Sequence, residues 1–203
     1  MRLQDIVNHQ STLFNSKTSL QTALAPINFL SKQYQARKKL YLGELVADYA
    51  AIRYWDFIRE LISDDDVDFG QREHQGAKDL FNSMLNYGYA ILYVRVWQAL
   101  LAAKLNPYNS IIHARQEGKP TLVYDMVEIF RSQIVDRVVI SLIQKGQDLE
   151  VRNGLLTDKT RQLLVKSVME RLARYEKYQG EEIKMEQIIL RQAKLLAKAL
   201  AVL

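Results

Sequence analysis

One imidazole and two carboxylates lie on either side of a Gly-Lys-Pro turn at residues 118–120. His113 precedes the turn, and Asp125 and Glu128 follow it. Thr121 is the expected N-cap of a short helix, on which the two acids, three residues apart, share one face. The turn would fold His113 back over them. One imidazole with two carboxylates suits a divalent ion such as Mg²⁺ or Mn²⁺.

The same residues also have an ordinary structural explanation. An acid pair at this spacing is usually a solvated helix face, and Glu128 can simply pair with Arg131. A lone histidine beside apolar residues is more often packed in a core than bound to a metal. The spacing alone therefore leaves a metal site and a structural role open. The opposite, apolar side of the helix is expected to consist of Leu122, Met126, Ile129 and Phe130.

The composition predicts a helical protein without thiol chemistry. The 203 residues include no cysteine, only three prolines and eight glycines, so few positions interrupt helices. A chain of this length forms one large domain or two small ones and can bury a sizeable core. No apolar run is long enough to cross a membrane, and the first residues lack the apolar segment of a signal peptide. We expect a cytoplasmic protein without a membrane partner.

The net charge of +5 is concentrated near the C-terminus. Residues 1–158 carry 18 basic and 18 acidic side chains, whereas residues 159–203 carry ten Lys and Arg against five Asp and Glu. A localised basic surface is what a polyanion partner requires. A pair of solvated helices with surplus lysine has the same composition, so the charge alone does not decide between the two.

The spacing of apolar residues predicts a series of helices. Gly88 lies inside the longest of them, where it predicts the close approach of another helix or a ligand. Residues 144–157 are expected to form a loop or a short hairpin, and Asp158 to cap the helix that follows. The last two helices are expected to join near Gln179 and Gly180. The expected helical ranges are 1–35 (two short helices), 36–62, 72–105 (with the long helix following the residues 72–79), 121–143, 159–178 and 181–201.

Two polar features interrupt these otherwise apolar helices. Asn82, Asn86 and Tyr89 recur at i, i+4 and i+7, so they share one side of the long helix. There they either bond within the core or line a cleft. Asp136 and Arg137 are adjacent in a buried helix, and we expect them to form a satisfied internal pair.

Several short motifs then occur in a fixed order, and their order and spacing resemble one family. Each motif is weak alone, but over roughly residues 40–200 the series resembles the CRISPR-associated endonuclease and integrase family Cas1. The motifs are Arg-Glu-His-Gln-Gly-Ala-Lys-Asp at 72–79, Asn-Ser-Met-Leu-Asn-Tyr-Gly-Tyr-Ala at 82–90, Asn-Pro at 106–107, His113, Leu-Val-Tyr-Asp-Met-Val-Glu-Ile-Phe-Arg at 122–131 and Val-Asp-Arg at 135–137.

The resemblance implies a fold. Family members join a small N-terminal β domain to a larger α-helical catalytic domain, and this chain resembles the α-helical domain alone. We therefore expect a single all-α domain with N-terminal helices (1–35), a catalytic core (36–158) and basic C-terminal helices (159–203). A truncated piece, a part of a larger fusion and a naturally short form all agree with this expectation.

The resemblance also implies an activity and partners. The family captures short foreign DNA and inserts it into the CRISPR array by transesterification, in which a DNA 3′-hydroxyl attacks a phosphodiester. Double-stranded or branched DNA, a second copy of the chain in a homodimer, and a Cas2 subunit are the implied partners. A bound Mg²⁺ or Mn²⁺ would stabilise charge on the attacked phosphate and lower the pKa of the nucleophile.

The family metal site consists of a glutamate, a histidine and a second acid. His113 matches the histidine, Glu128 matches the second acid, and Asp125 matches the acid beside it, so these three are the expected catalytic and metal-binding residues. The first glutamate normally precedes an Ala-Ala-x-x-Tyr-aromatic pattern, and in this chain its position is Ala47. A mutation, a naturally degenerate form, or substitution by Glu44 one turn earlier would each account for this departure.

The departure at Ala47 leaves more than one function open. The first is a CRISPR-adaptation integrase whose metal affinity and nuclease activity are reduced in this chain. The second is a non-catalytic DNA-binding or assembly subunit with the same fold. Without the resemblance, a helical adaptor for acidic partners is the third. The residues expected to contact DNA are Arg72, Asn82, Asn86, Tyr87, Tyr89, Lys104, Arg115, Lys119, Arg171, Arg174, Arg191 and Lys194.

Overall fold

The computed structural model of the chain is mostly helical, which confirms the all-α prediction. It describes residues 52–62, 67–74, 76–109, 111 and 116–201. The predictions that lie outside these residues are those made for Ala47, Glu44, His113, Arg115 and the helices expected before residue 52.

Six helices, one π-helical turn and two small antiparallel hairpins make up the described fold. The helices are α1 (52–61), α2 (Leu80–Ala102), α3 (Thr121–Val127), α4 (Arg137–Gln144), α5 (Asp158–Ala173) and α6 (Met185–Leu200), with the π-helical turn at Ser132–Asp136. The hairpins are β1 (Val151–Arg152) with β2 (Leu155–Leu156), and β3 (Tyr175–Tyr178) with β4 (Glu181–Lys184).

Helix α2 is the central element and packs against α3, α5, α6 and the π-helical turn. It begins directly after the motif at residues 72–79, because Asp79 accepts the backbone N–H of Asn82 at 2.7 Å and caps the helix there. The described residues before the cap form no helix or strand, and the buried Asn82 side chain holds part of this segment in place. Its amide accepts the N–H of Glu73 at 2.9 Å and donates to the carbonyl of Gln71 at 2.8 Å.

Gly88 lies where the π-helical turn crosses α2. A Cβ atom added at Gly88 would be only 2.5 Å from Cγ1 of Val135, which is fully buried. The structure therefore confirms the predicted close approach and shows that the neighbour is another helical segment. Only glycine allows the two backbones to pack at this distance.

The prediction for residues 159–201 was wrong in one respect. A hairpin rather than a simple joint separates the last two helices, because α5 ends at Ala173 and α6 begins at Met185. Gln179 and Gly180 both have positive φ, 51° and 90°, which is the pairing of a two-residue type I′ turn. The hairpin expected between residues 144 and 157 is confirmed.

The predicted helix caps were also wrong by one residue. Thr157, not Asp158, caps α5, and its side chain accepts the N–H of Thr160. Thr121 lies inside α3 and its hydroxyl donates to the carbonyl of Tyr108 at 3.2 Å, while Pro120 is the N-cap. Proline fixes φ near the value a helix requires, so it can start the helix without a side-chain cap. Within the described ranges, no helix has both the length and the apolar character needed to cross a membrane.

Candidate functional site

Asp125 fixes the segment that leads toward the predicted histidine. Its side chain is buried, and Oδ2 accepts the backbone N–H of Ile111 at 2.8 Å. A second bond, from the N–H of Leu122 to the carbonyl of Pro107 at 2.9 Å, holds the same segment against the start of α3. Ile111 precedes His113 by two residues in the sequence, so the acid is bonded to the stretch of chain on which the histidine lies.

Glu128 has a different environment from Asp125. It follows the last residue of α3, its side chain is 51% exposed, and Oε1 pairs with Nη1 of Arg131 at 2.7 Å, as predicted. The structural alternative, in which both acids lie on a solvated helix face, holds for Glu128 alone, because Asp125 is buried and turns toward α6. There it lines a small cavity together with Gln192 and Leu196. One acid is therefore fixed by the fold and the other is accessible.

Arg131 connects the accessible acid to an aromatic layer beneath it. Its guanidinium lies 4.9 Å from the centre of the Tyr89 ring and donates to the hydroxyl of Tyr93 at 2.7 Å. Burial alone would lower the pKa of Arg131, but Glu128 and the Tyr93 hydroxyl outweigh it, so the pKa lies above its ordinary value. The side chain stays cationic next to the acid.

Beneath Arg131 lies a buried carboxylate with two phenol donors. Asp136 accepts the hydroxyl of Tyr89 at 2.5 Å and the hydroxyl of Tyr54 at 2.7 Å. Burial raises the pKa of Asp136 although both hydrogen bonds favour the charged form, and burial and the carboxylate raise the pKa of both phenols. The predicted Asp136–Arg137 pair was wrong, because adjacent residues on a helical turn point roughly 100° apart and Arg137 faces solvent.

Arg72 approaches the same tyrosine from the loop before α2. Its guanidinium lies 5.4 Å from the Tyr89 ring centre and 5.9 Å from that of Trp55. It donates to Oδ1 of Asn82 at 2.9 Å and to Oδ1 of Asn86 at 2.5 Å. Burial lowers the pKa of Arg72. Four residues predicted to contact DNA are thus bonded to one another inside the protein and join α1, α2 and the loop.

His74 is a candidate that sequence reasoning did not single out. Burial lowers the pKa of its imidazole below the ordinary value, and the charges of Arg72 and Arg131 lower it further. The imidazole is therefore kept neutral at neutral pH. Its place in the motif just after Arg72 was the signal that could have identified it.

Other predicted DNA contacts are exposed on several elements. Tyr87 is 37% exposed on α2, and Lys104 follows the end of that helix in a left-handed conformation. Lys119 is exposed in the turn before α3, Arg174 just after α5, and Lys194 on α6. All five can be reached by a large ligand.

Two further predicted DNA contacts have partners within the chain. Arg171 is buried, and it donates to the carbonyl of Gln133 at 2.9 Å and pairs with Glu176. Arg191 on α6 pairs with Glu181 on β4 at 2.6 Å. Arg171 therefore serves to join α5 to the π-helical turn and the hairpin.

A complete metal-binding cluster is not found within the described residues, where no three His, Asp or Glu side chains lie close enough to share an ion. Asp125 and Glu128 lie one helical turn apart, about 5–6 Å between Cβ atoms at such a spacing. The accessible Glu128 offers oxygen ligands of the kind that Mg²⁺ or Mn²⁺ prefers, whereas Asp125 points toward α6 and its Oδ2 accepts the N–H of Ile111. The third donor predicted, His113, lies outside the described residues.

The fold and this arrangement together define a helical domain in which the accessible acid Glu128 pairs with Arg131 beside a layer of aromatic rings and guanidinium groups. The chain belongs to the family described as CRISPR associated protein Cas1, whose family model matches residues 4–193.

Individual relatives agree with this family. A CRISPR-associated endonuclease Cas1 of Archaeoglobus fulgidus is 38% identical over 156 residues, which cover 71% of this chain and 45% of that protein. Another, from Francisella tularensis subsp. novicida, is 36% identical over 124 residues, covering 61% of this chain and 38% of that protein. The chain thus spans less than half the length of either relative.

Solved structures share the fold. A casposase bound to integration product aligns with a TM-score of 0.72 and 27% identity, covering 91% of this chain and 58% of that one. A chain of a Cas6-RT-Cas1–Cas2 complex aligns with a TM-score of 0.69 and 24% identity, covering 96% of this chain and 22% of that one.

Proposed function

We propose that this chain is the helical catalytic region of a metal-dependent DNA endonuclease and integrase that acts in CRISPR adaptation. Family membership supports the proposal, as do relatives named as endonucleases and the likeness to a casposase bound to integration product. The observation that carries it is the position of Asp125, one turn before Glu128 and bonded through Ile111 to the segment that leads to His113.

Asp125, Glu128 and His113 are the residues proposed to hold Mg²⁺ or Mn²⁺. When bound, the ion would neutralise charge on the attacked phosphate and lower the pKa of the attacking hydroxyl. The Glu128–Arg131 pair does not prevent this role, because an ion pair with a half-exposed carboxylate contributes only about 0–1 kcal/mol. Glu128 can therefore exchange Arg131 for another cation at little cost.

The layer below the acids supplies positive charge in a fixed position. Arg131 and Arg72 both lie against the ring of Tyr89, and Asp136 holds the hydroxyl of that ring. Side chains fixed in this way do not reorganise when a negatively charged phosphate arrives, which is how preorganised charge lowers a reaction barrier. In our proposal these residues orient and attract the substrate and do not react with it.

Double-stranded or branched DNA is the proposed substrate, with a homodimer and a Cas2 subunit as the proposed assembly. The family to which the chain belongs supports these partners. A non-catalytic DNA-binding or assembly subunit is the second candidate, and Ala47 at the expected glutamate position favours it. The two candidates differ in one measurable property, which is metal-dependent strand transfer.

The test compares the chain with the Ala47→Glu variant in Mn²⁺-dependent cleavage and strand transfer on a branched DNA. We expect Ala47→Glu to raise the rate by roughly tenfold or more, equivalent to about 1.4 kcal/mol of barrier. Ala47→Gln is the matched control, since it adds similar bulk without a carboxylate. Equal activity of the chain and Ala47→Glu contradicts the role of this position. DNA binding without any metal-dependent reaction in either protein favours the non-catalytic candidate.

A further inference from the structure

A cleft between α4 and α5 is rich in basic and hydroxyl side chains. Its volume is about 290 Å³, and neither Asp125 nor Glu128 lines it. One wall is the face of α4 on which residues recur at i, i+4 and i+8, and the other wall is the C-terminal half of α5. The polar residues that line the cleft are Arg137, Ser141, Lys145, Ser167, Glu170, Arg171 and Arg174.

Most of the positive charge in the cleft is not neutralised by a partner. Arg171 pairs with Glu176, and Glu170 lies 3.9 Å from Lys166. Among the described residues, the other three cations, at positions 137, 145 and 174, form no ion pair with a carboxylate. Two unpaired arginines and an unpaired lysine therefore share one concave surface.

The guanidinium groups also lie close enough to influence one another. Burial lowers the pKa of Arg137, and the charges of Arg171 and Arg174 lower it further, while Glu176 acts in the opposite direction. A negatively charged ligand between them would relieve this repulsion. Binding of an anion should therefore be more favourable in the cleft than beside isolated surface cations.

The chemistry of the lining favours phosphate groups. Guanidinium forks and serine hydroxyls match the oxygens of a phosphate, and they contact a nucleic-acid backbone without distinguishing bases. Positions 137 to 145 of α4 span about 12 Å at 1.5 Å per residue, which corresponds to about three or four phosphates of one strand. An acidic protein surface is a poorer match, because protein interfaces usually centre on buried apolar or aromatic anchors. Val138 and Leu142 are the apolar side chains in this lining.

We propose that the α4–α5 cleft binds the sugar-phosphate backbone of DNA through Arg137, Lys145 and Arg174, at a site distinct from the acids of α3. This inference rests on the proposed function, because it takes DNA as the polyanion. It assigns a role to Arg137, which the sequence analysis had paired with Asp136. It also gives Arg174 a different role from the buried Arg171, which pairs with Glu176 inside the chain.

The test measures binding of a short fluorescently labelled DNA duplex by fluorescence anisotropy, between about 50 and 200 mM salt. The cleft variant is Arg137→Gln/Arg174→Gln. Loss of two phosphate contacts lowers the slope of log K against log salt by about 2 and the affinity at 0.1 M salt by roughly 60-fold. Lys145→Gln, a single exposed change, lowers the slope by about 1.

The matched control is Arg152→Gln/Arg161→Gln, which also removes two positive charges but from exposed positions outside the cleft. Arg152 already pairs with Glu150 and Arg161 with Asp158, so their loss should change DNA affinity much less. If the cleft variant loses no more affinity than this control, the effect is one of net charge and the proposal is overturned. In that case an acidic protein becomes the better candidate for the cleft. Thermal melting of each variant shows that the fold is retained.

The outcomes separate this inference from the proposed function. A chain that binds no DNA at all overturns both. DNA binding that does not depend on the cleft overturns the inference and leaves the proposed function standing. Cleft-dependent DNA binding without metal-dependent strand transfer in either the chain or Ala47→Glu overturns the proposed enzyme and supports the cleft.

Discussion

Replacing Tyr89 with phenylalanine tests whether the Tyr54–Asp136–Tyr89 cluster holds the fold around the acids. The change removes one hydroxyl and keeps the ring, so the contacts of Arg72 and Arg131 with the ring face are retained. Oδ1 of Asp136 then loses its only phenol donor within the described contacts, while Oδ2 keeps the hydroxyl of Tyr54. The perturbation is therefore confined to the Tyr89 hydroxyl, which bonds to the buried Asp136 carboxylate and also interacts with Arg72.

The expected loss in the free energy of unfolding is about 2 kcal/mol. A hydrogen bond to a charged group contributes roughly 1.5–3 kcal/mol, and Asp136 is only 2% exposed, so water cannot replace the lost donor. For a protein of this size, about 2 kcal/mol corresponds to a fall in Tm of roughly 4–8 °C. In the background of Asp136→Asn, the same Tyr89→Phe change should cost less than about 1 kcal/mol, because no charged acceptor is left without its donor.

Urea unfolding followed by circular dichroism measures all four proteins of this double-mutant cycle. Tyr175→Phe is the matched control, since Tyr175 is 61% exposed and its hydroxyl should contribute within about 0.5 kcal/mol. A loss below about 0.5 kcal/mol for Tyr89→Phe, or the same loss in both backgrounds, would show that the carboxylate does not depend on this phenol.

Two other changes test the packing of α2 and the charge near the acids. Gly88→Ala should lower the unfolding free energy by about 1–3 kcal/mol, because its methyl meets Val135 at 2.5 Å, and Val135→Ala should relieve part of that cost. Gly70→Ala is the control, since Gly70 has open space around it. Equal losses of unfolding free energy at both glycines contradict the packing argument. An NMR titration of His74 should give a pKa below 6.5, which Arg72→Gln raises. Since the folded state then binds fewer protons than the unfolded state, the contribution of His74 to stability is complete above about pH 6.5 and is lost as the pH falls below it. A midpoint at or above 6.5 refutes this assignment.

Local patterns predicted those features that follow from the type of a residue and its spacing on a helix. The Glu128–Arg131 pair followed from a spacing of three residues, since neighbours on one helical turn meet whatever the rest of the fold does. Gly88 predicted a close contact because few other reasons place glycine inside a long helix. These predictions needed no knowledge of the tertiary structure.

The β3–β4 hairpin shows where helical propensity misled the prediction. Glu and Lys are good helix formers, and they continue directly from α5 into residues 175–184. The hairpin forms because Gln179 and Gly180 take a type I′ turn and because Tyr178 becomes fully buried, where its hydroxyl accepts a bond from Gln192 at 2.8 Å. The Gln-Gly pair was a turn signal in the sequence, but the burial of Tyr178 was not visible there.

The environment of the acids was the least predictable part of the site. Asp136 is bonded to Tyr54 across 82 residues and to Tyr89 across 47 residues, so nothing in its own helix identified its partners. Sequence adjacency suggested Arg137 instead. The burial of Asp125 was likewise not visible in its own helix, because the residues beside it, Ile111, Gln192 and Leu196, lie on other segments of the chain.

The structure therefore gives the basic residues two different tasks. Arg72 and Arg131 have internal partners and hold the rings beside the acids, so their replacement should lower stability before it changes the salt dependence of DNA binding. Arg137 and Arg174 have no such partners within the described residues, so their replacement should change the salt dependence while stability is kept. Positioning of the reacting groups and affinity for the phosphate backbone thus reside in separate sets of side chains, and each can be altered without the other.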